Sequence, residues 1–276
     1  MHTFTLNDGV TIPAIGFGTY KAGLDSIVHA LNEGYKYFDT ASFYGNESDI
    51  AEALIQTGVK REEVFIASKI WKSDMGYEKS LAAISRTLEN LRTDYADAIL
   101  IHWPRPNIDV QEWKALDLET WRAMEELHSQ GKIKALGLSN FLPYHAENIF
   151  SRCEVMPSIA QFEFHPGHLQ FPALSYYRQK GILIQAWSPL GRSRVIDDIL
   201  IRELALKYHV TPAQVCIRFC IHEGVMPLPK ASTPERMREN LESLNFSLDD
   251  EDISRIENMP PIGWGGEHPD REREKI

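Results

Sequence analysis

The sequence predicts an α/β fold in which eight parallel strands close into a (β/α)8 barrel, a single unit spanning residues 1–276. Three observations carry this expectation. Strand-like and helix-like segments alternate without a break through 276 residues, about the length of one such barrel. Ala96–His102 (ADAILIH) is a near-continuous apolar run, the pattern of a strand covered on both faces in a parallel sheet. The turn GFGTYK (Gly16–Lys21) lacks the third glycine of GxGxxG and opens no helix in register, and no loop ends in GK[ST]. An open doubly wound sheet would carry one of these phosphate loops after its first strand.

The elements follow in order. FTLNDGVTI (Phe4–Ile12) alternates around Asp8-Gly9, a pair suited to the positive-φ turn of a hairpin. Strands are expected at Ala14–Gly18, Tyr35–Asp39, Val64–Lys69, Ala96–His102, Ile133–Leu138, Ile159–Phe162, Ile182–Ala186 and Val225–Leu228. Helical periodicity marks Leu24–Asn32, Glu47–Gln56, Glu78–Leu91 and Leu116–Ser129. Thr211-Pro212 opens a further helix, with threonine as cap and proline in the first turn. After Met259, PPIGWGGEHPDREREKI has turn residues and mixed charges and is expected to lie as a loop over one end of the body.

Composition narrows the function. Hydrophobic residues make up 43% and charged residues 25%, an ordinary globular balance. The net charge of −10 repels nucleic acid and anionic membranes, so neither is expected as a partner. The N-terminus shows no signal-peptide pattern, and no run of about 18 apolar residues occurs, which points to a cytoplasmic protein. Cys153, Cys216 and Cys220 are an odd number without framework spacing, consistent with a reducing compartment, and Cys216 and Cys220 are expected as packing residues. No long exposed apolar patch is evident, which favours a monomer.

Four polar residues fall at the carboxyl ends of consecutive expected strands or in the loop that follows: Asp39, Tyr44, Lys69 and His102. Adjacent strands lie about 4.8 Å apart and their carboxyl ends converge on one rim. Taken singly, the Asp is a helix cap, the Lys a solvated charge and the His a packing residue; four such groups at equivalent positions point to a site. A reaction that builds charge on a substrate oxygen needs that charge stabilised and protonated. A tyrosine, with an ordinary pKa near 10, is a poor acid until a neighbouring ammonium lowers that value. Asp39 keeps Lys69 charged, and His102 can donate to the substrate oxygen. A Schiff-base role for Lys69 needs a neutral amine, which Asp39 opposes. HPGH (His165–His168) lacks the carboxylate partner of a metal site, and no metal is expected.

The chain resembles the aldo-keto reductase superfamily, most closely the bacterial branch that includes 2,5-diketo-D-gluconate reductases. The resemblance rests on IPAIGFGTYK (Ile12–Lys21), GYKYFDTASFYGNE (Gly34–Glu47), IHWP (Ile101–Pro104), GKIKALGLSNF (Gly131–Phe141), QFEFHP (Gln161–Pro166) and LPKASTPERMREN (Leu228–Asn240). It implies NADPH bound in extended form across the carboxyl rim, with Asp39, Tyr44, Lys69 and His102 as a catalytic tetrad acting on a small carbonyl substrate. Ser139, Asn140 and Gln161 then hold the nicotinamide carboxamide, and Trp187 stacks on its ring. Gly18, closing the first strand, and Thr19 after it are expected to bind the cofactor, and Ser188, Pro189, Leu190 and Gly191 offer backbone donors to the pyrophosphate. Lys230 and Arg236, beside a helix N-terminus, suit a 2′-phosphate, and Glu239 and Asn240 match positions that hold adenine. Ala231 departs from the serine usual there, with Ser232 and Thr233 able to compensate. Tyr20, Trp71, His102 and Trp103, joined by Trp264 of the tail, are expected to line the substrate pocket. The short segment Arg192–Asp198 implies an open cofactor groove. A cofactor-binding subunit with little turnover is the alternative, against which the complete tetrad weighs.

Overall fold

The structure, a computed structural model, describes residues 3–105 and 112–271. Strands β1 (Thr3–Thr5) and β2 (Thr11–Pro13) pair antiparallel as the hairpin around Asp8-Gly9, with Gly9 at φ +88°. Eight further strands form one parallel sheet in sequence order: β3 (Phe17–Gly18), β4 (Tyr37–Asp39), β5 (Phe65–Ile70), β6 (Ala96–Ile101), β7 (Ile133–Ser139), β8 (Ile159–Glu163), β9 (Leu183–Trp187) and β10 (Val225–Leu228). The two edges meet. Gly16 N donates to Pro227 O and Gly18 N to Pro229 O, each at 3.1 Å, so the sheet closes into a barrel.

Helices α1 (Leu24–Asn32), α2 (Glu47–Thr57), α3 (Tyr77–Asn90), α4 (Trp113–Ser129), α5 (Pro143–Phe150) and α6 (Phe171–Gln179) each connect one strand to the next. Two helices, α7 (Ile199–Tyr208) and α8 (Pro212–His222), lie between β9 and β10; α9 (Pro234–Glu242) and α10 (Asp250–Glu257) follow β10. Thr211 caps α8 as its sequence implies, with Gln214 reaching back to the Thr211 N–H. Cys216 and Cys220 are free and buried on α8.

Ala14–Gly18 was expected as a strand, but only Phe17–Gly18 pairs in one. Just before it, beside β10, a Cβ at Gly16 would sit 2.6 Å from both Leu228 Cδ2 and Tyr37 Cδ1. Alternation along each strand sends one set of side chains inward and the other under the helices. The inward set, including Ala67, Ala98, Leu100, Ala135, Ile159 and Met226, forms one buried cluster with Leu6 and Ile12 of the hairpin. Asn7 Nδ2 donates to Pro157 O at 2.9 Å, just ahead of β8. The hairpin therefore plugs the amino end of the barrel. The tail lies over the other end, where Gly265 N donates to both carboxylate oxygens of Glu163 at the close of β8. No helix among the described residues is long and apolar enough to cross a membrane.

Candidate active site

The same alternation that fills the interior with Tyr37, Ala67 and Leu100 directs the last inward position of each strand to the open rim. On β4 and β5 these positions are Asp39 and Lys69. Lys69 Nζ donates to Asp39 Oδ1 at 2.8 Å, to Oδ2 at 2.7 Å and to Thr40 O at 2.8 Å. Lys69 is 1% exposed and Asp39 4%, so this is a buried ion pair whose members are satisfied by each other and by the backbone. Burial pulls the Lys69 pKa below its ordinary value, and the Asp39 charge and hydrogen bonds oppose that pull.

Tyr44 arrives from a single 3-10 turn, Ser42–Tyr44, directly after β4. Gly45, at φ +68°, ends the turn in the left-handed region that glycine adopts without strain. Ser42 Oγ donates to Lys69 O at 3.0 Å, and Asn46 Nδ2 to Thr19 O and Ala22 O at 2.8 and 2.9 Å. These bonds fix the turn against β5 and the end of β3. The Tyr44 ring centroid is thereby 5.2 Å from Lys69 Nζ and 5.8 Å from the His102 ring, edge to face. His102 extends the β6 ladder by one bond, N to Ile70 O at 3.1 Å, and also meets Trp71 edge to face at 5.0 Å.

A cavity of about 490 Å³ opens on these groups, lined by Asp39, Tyr44 and His102 and walled by Tyr20, Phe43, Trp71, Trp103 and Trp187. Phe43 and Trp71 stack at 4.0 Å. The cavity continues past Asn140, Gln161, Ser188, Pro189 and Leu190 to Pro229 and Lys230. Asn140 stands at φ +63° and Ser188 at φ +50°, each directly after a strand end, where backbone strain is characteristic of functional rims. Asn140 spans the gap between strands: its Nδ2 donates to His102 O at 2.9 Å and Ser139 Oγ at 3.0 Å, and its Oδ1 accepts from Trp187 Nε1 at 2.8 Å. Such a cavity can hold a planar ring against Trp187 with a carbonyl compound between that ring and Tyr44.

The model of the aldo/keto reductase family matches residues 14–260. The chain belongs to that family. It is 37% identical over 273 residues to the glyoxal reductase of Bacillus subtilis (strain 168), covering 97% of this chain and 96% of that protein. The methylglyoxal reductase DkgA of Escherichia coli O157:H7 is 35% identical, with 96% of each chain covered. Among solved structures, an aldo/keto reductase from Brucella melitensis superposes with a TM-score of 0.87 at 36% identity, covering 92% of this chain and 98% of that one. A variant of Gox0644 in complex with NADPH superposes with a TM-score of 0.91 at 33% identity, covering 99% of each chain.

This aldo/keto reductase brings most of its sequence-nominated residues to one rim, with four qualifications. Thr19 is fully buried and hydrogen-bonds through both N and Oγ1 to Asp39 O, so it holds the strand end beneath the cavity and does not line it. Ser139 and Gly191 are likewise buried and outside the lining. Beyond Lys230, the residues Ser232, Thr233, Arg236, Glu239 and Asn240 lie on or before α9 and not in the cavity. There Ser232 Oγ accepts from Lys230 Nζ at 2.6 Å, Thr233 caps α9, and Asn240 is buried beside Tyr35. Ala231 is buried in the core, where a serine hydroxyl would face apolar neighbours.

Trp264 requires a correction. It lines a second cavity, of about 410 Å³, behind Trp187, where it lies near-parallel to His168 with centroids 6.4 Å apart. Among the described residues, the tail residue that lines the first cavity is Glu267, whose carboxylate meets Arg192 at 3.1 Å. Sequence reasoning missed both: two segments 75 residues apart carry no local signal of contact. Arg192 also changes the picture of an open groove, because the short loop after β9 is joined to the tail by this pair and by Arg194 Nη1 donating to Trp264 O. Phe43 and Lys21 of the lining adjoin Tyr44 and Tyr20 in sequence and could have been nominated on that ground. His165 Nδ1 faces Pro166 O at 2.8 Å, and among the described residues no cluster of three or more His, Cys, Asp or Glu is placed to hold a metal.

Proposed function

We propose that the protein reduces aldehyde or ketone carbonyls to alcohols with NADPH, with Tyr44 as the proton donor. The observation that carries this reading is the buried Asp39–Lys69 pair lying 5.2 Å beneath the Tyr44 ring at the floor of an aromatic cavity. An ammonium there favours the phenolate and makes Tyr44 a stronger acid. Tyr44 then delivers its proton to the carbonyl oxygen as charge builds on it. His102, on the facing wall, orients that oxygen by hydrogen bonding. The aromatic walls Tyr20, Phe43, Trp71 and Trp103 exclude water and favour small or planar carbonyl compounds, in the class of dicarbonyls, keto-sugars and small aldehydes. The similarity to proteins named glyoxal and methylglyoxal reductases supports the dicarbonyl end of that range.

The residues present fit a phosphorylated nicotinamide dinucleotide. The cavity runs unbroken from Trp187 to Lys230, and its far end adjoins the capped N-terminus of α9 with Arg236 in the first turn. Helix N-termini and flanking cations are where phosphate binds. NADPH, when bound, supplies the hydride. Ser139, Asn140 and Gln161 are assigned to its carboxamide, Ser188–Gly191 to its pyrophosphate, Lys230 and Arg236 to its 2′-phosphate, and Glu239 and Asn240 to its adenine.

Consumption of NADPH absorbance with methylglyoxal and a panel of aldehydes tests the reaction. Tyr44→Phe is expected to lower the rate by roughly 10²–10⁴-fold, the range for a lost general acid, while cofactor binding persists. Near-normal turnover of that variant would remove Tyr44 from its role.

A further inference from the structure

Beneath the reaction cavity a row of buried polar side chains runs across the barrel interior. Gln161 Nε2 lies 2.8 Å from Asp39 Oδ1 and 3.1 Å from Gln185 Oε1. Gln185 Nε2 lies 2.7 Å from the Tyr37 hydroxyl and 3.3 Å from Met226 Sδ. Gln185 and Tyr37 are 0% exposed and Gln161 2%, so none can turn to solvent without breaking the row.

Its direction is fixed by chemistry. An ionised carboxylate only accepts, so Gln161 must present its amide nitrogen to Asp39. The second hydrogen on that nitrogen needs an acceptor, and Gln185 presents its oxygen. The Gln185 nitrogen is then left facing Tyr37, whose phenol burial and the Asp39 charge keep neutral, its pKa raised well above the ordinary value. With both N–H groups of Gln161 engaged, its carbonyl oxygen is the atom free to face the cavity, which Gln161 lines.

We propose that Gln185 is a positioning residue that acts through Gln161. By accepting the second amide hydrogen it holds the Gln161 carbonyl oxygen toward the cavity, where that oxygen reads the NH2 of a nicotinamide carboxamide. This rests on the cofactor reading above. Without Gln185 a buried N–H of Gln161 loses its partner. The amide then gains by swinging toward the cavity and offering a donor where an acceptor stood.

The test compares binding of NADP+ with binding of its 3-acetylpyridine analogue, which keeps the ring carbonyl but has a methyl group in place of NH2. Quenching of tryptophan fluorescence gives both affinities without turnover, and their ratio is insensitive to the fraction of folded protein. The unmodified protein is expected to prefer NADP+ by roughly tenfold, the scale of one well-made hydrogen bond. Gln185→Met, close in volume, brings the ratio to within about threefold. Gln185→Glu, which still offers an oxygen to Gln161 while Tyr37 becomes the donor, keeps the preference. Tyr37→Phe, which frees the far end of Gln185, falls between, and it decides the matter if Gln185→Met fails to fold. An unchanged ratio in Gln185→Met or Tyr37→Phe overturns the role of Gln185, as does equal binding of both compounds by the unmodified protein. Failure of that protein to bind NADP+ at all would instead sink the cofactor reading itself.

Discussion

At the scale of single residues, the site turns on how an ammonium is kept charged inside a barrel. Desolvation alone pulls Lys69 toward its neutral form, and Asp39 resists with both oxygens. The sign of the pH dependence follows. With a folded-state pKa below the unfolded value near 10.4, Lys69 binds its proton less tightly in the native protein. Raising the pH from the folded toward the unfolded value therefore favours the fold while removing the charge that, in the proposed mechanism, makes Tyr44 a stronger acid. Asp39→Asn takes away the opposing charge, so Lys69 should lose its proton at lower pH. The alkaline limb of the rate of carbonyl reduction is expected to move down in this variant, as a pH profile of initial rates would reveal. A limb that stays in place would mean that Lys69 does not govern it.

At the scale of elements, the start of α9 is where the proposed 2′-phosphate site would set cofactor choice. Thr233 caps the helix and Pro234 occupies its first turn, while Lys230 reaches Ser232 Oγ at the groove's end. A 2′-phosphate placed there would meet a cation and the positive end of the helix dipole together. Lys230→Gly is expected to weaken NADPH by roughly ten- to a hundredfold, the range for a lost charge-assisted hydrogen bond, with little change for NADH. Parallel titrations of the two nucleotides measure this, and equal weakening would remove the phosphate from this end. On the opposite flank, the loop after β9 and the tail interlock through glycines. At Gly263, φ +77°, an added Cβ would stand 2.7 Å from both His165 Cε1 and Val195 Cγ2. Farther along, Asp270 bonds Arg105 at 2.9 Å and His145 at 3.1 Å, and it also meets the Tyr144 hydroxyl. Burial lowers the His145 pKa to about 4, so this anchor does not rely on a charged imidazole near neutrality.

For the molecule as a whole, closure of the sheet makes the rim a single surface. Eight strands leave an interior that side chains fill completely, and small residues decide where large ones fit. Gly137 of β7 is one such position: a Cβ there would lie 2.6 Å from Leu100 Cγ and 3.0 Å from Ile159 O. Gly137→Val should destabilise the fold by about 1–3 kcal/mol through overpacking, read as a lower urea midpoint. An unchanged midpoint would show that the interior can yield at this layer. Because the layer carrying Asp39, Lys69 and Gln161 rests on this packing, a shift in the pH profile of Gly137→Val would register the disturbance at the rim.

The barrel, the hairpin and the convergence of Asp39, Tyr44, Lys69 and His102 on one rim were legible in the sequence, because each depends on short-range pattern. A period of two defines a strand, a period near 3.6 a helix, and strand ends in a closed barrel must converge. That logic placed Asp39, Lys69 and His102 on one rim before any coordinates, and the turn after β4 supplied Tyr44. What tertiary structure alone decided are contacts between segments far apart in the chain. Arg192 meets Glu267, Trp264 turns away to a second cavity, and Gln185 reaches across to Tyr37 from 148 residues away. Local propensity says nothing of such pairs. Gln185 and Tyr37 pair because closing the cylinder buries polar groups that must then find partners, and in every case only the finished packing determines which groups lie within reach.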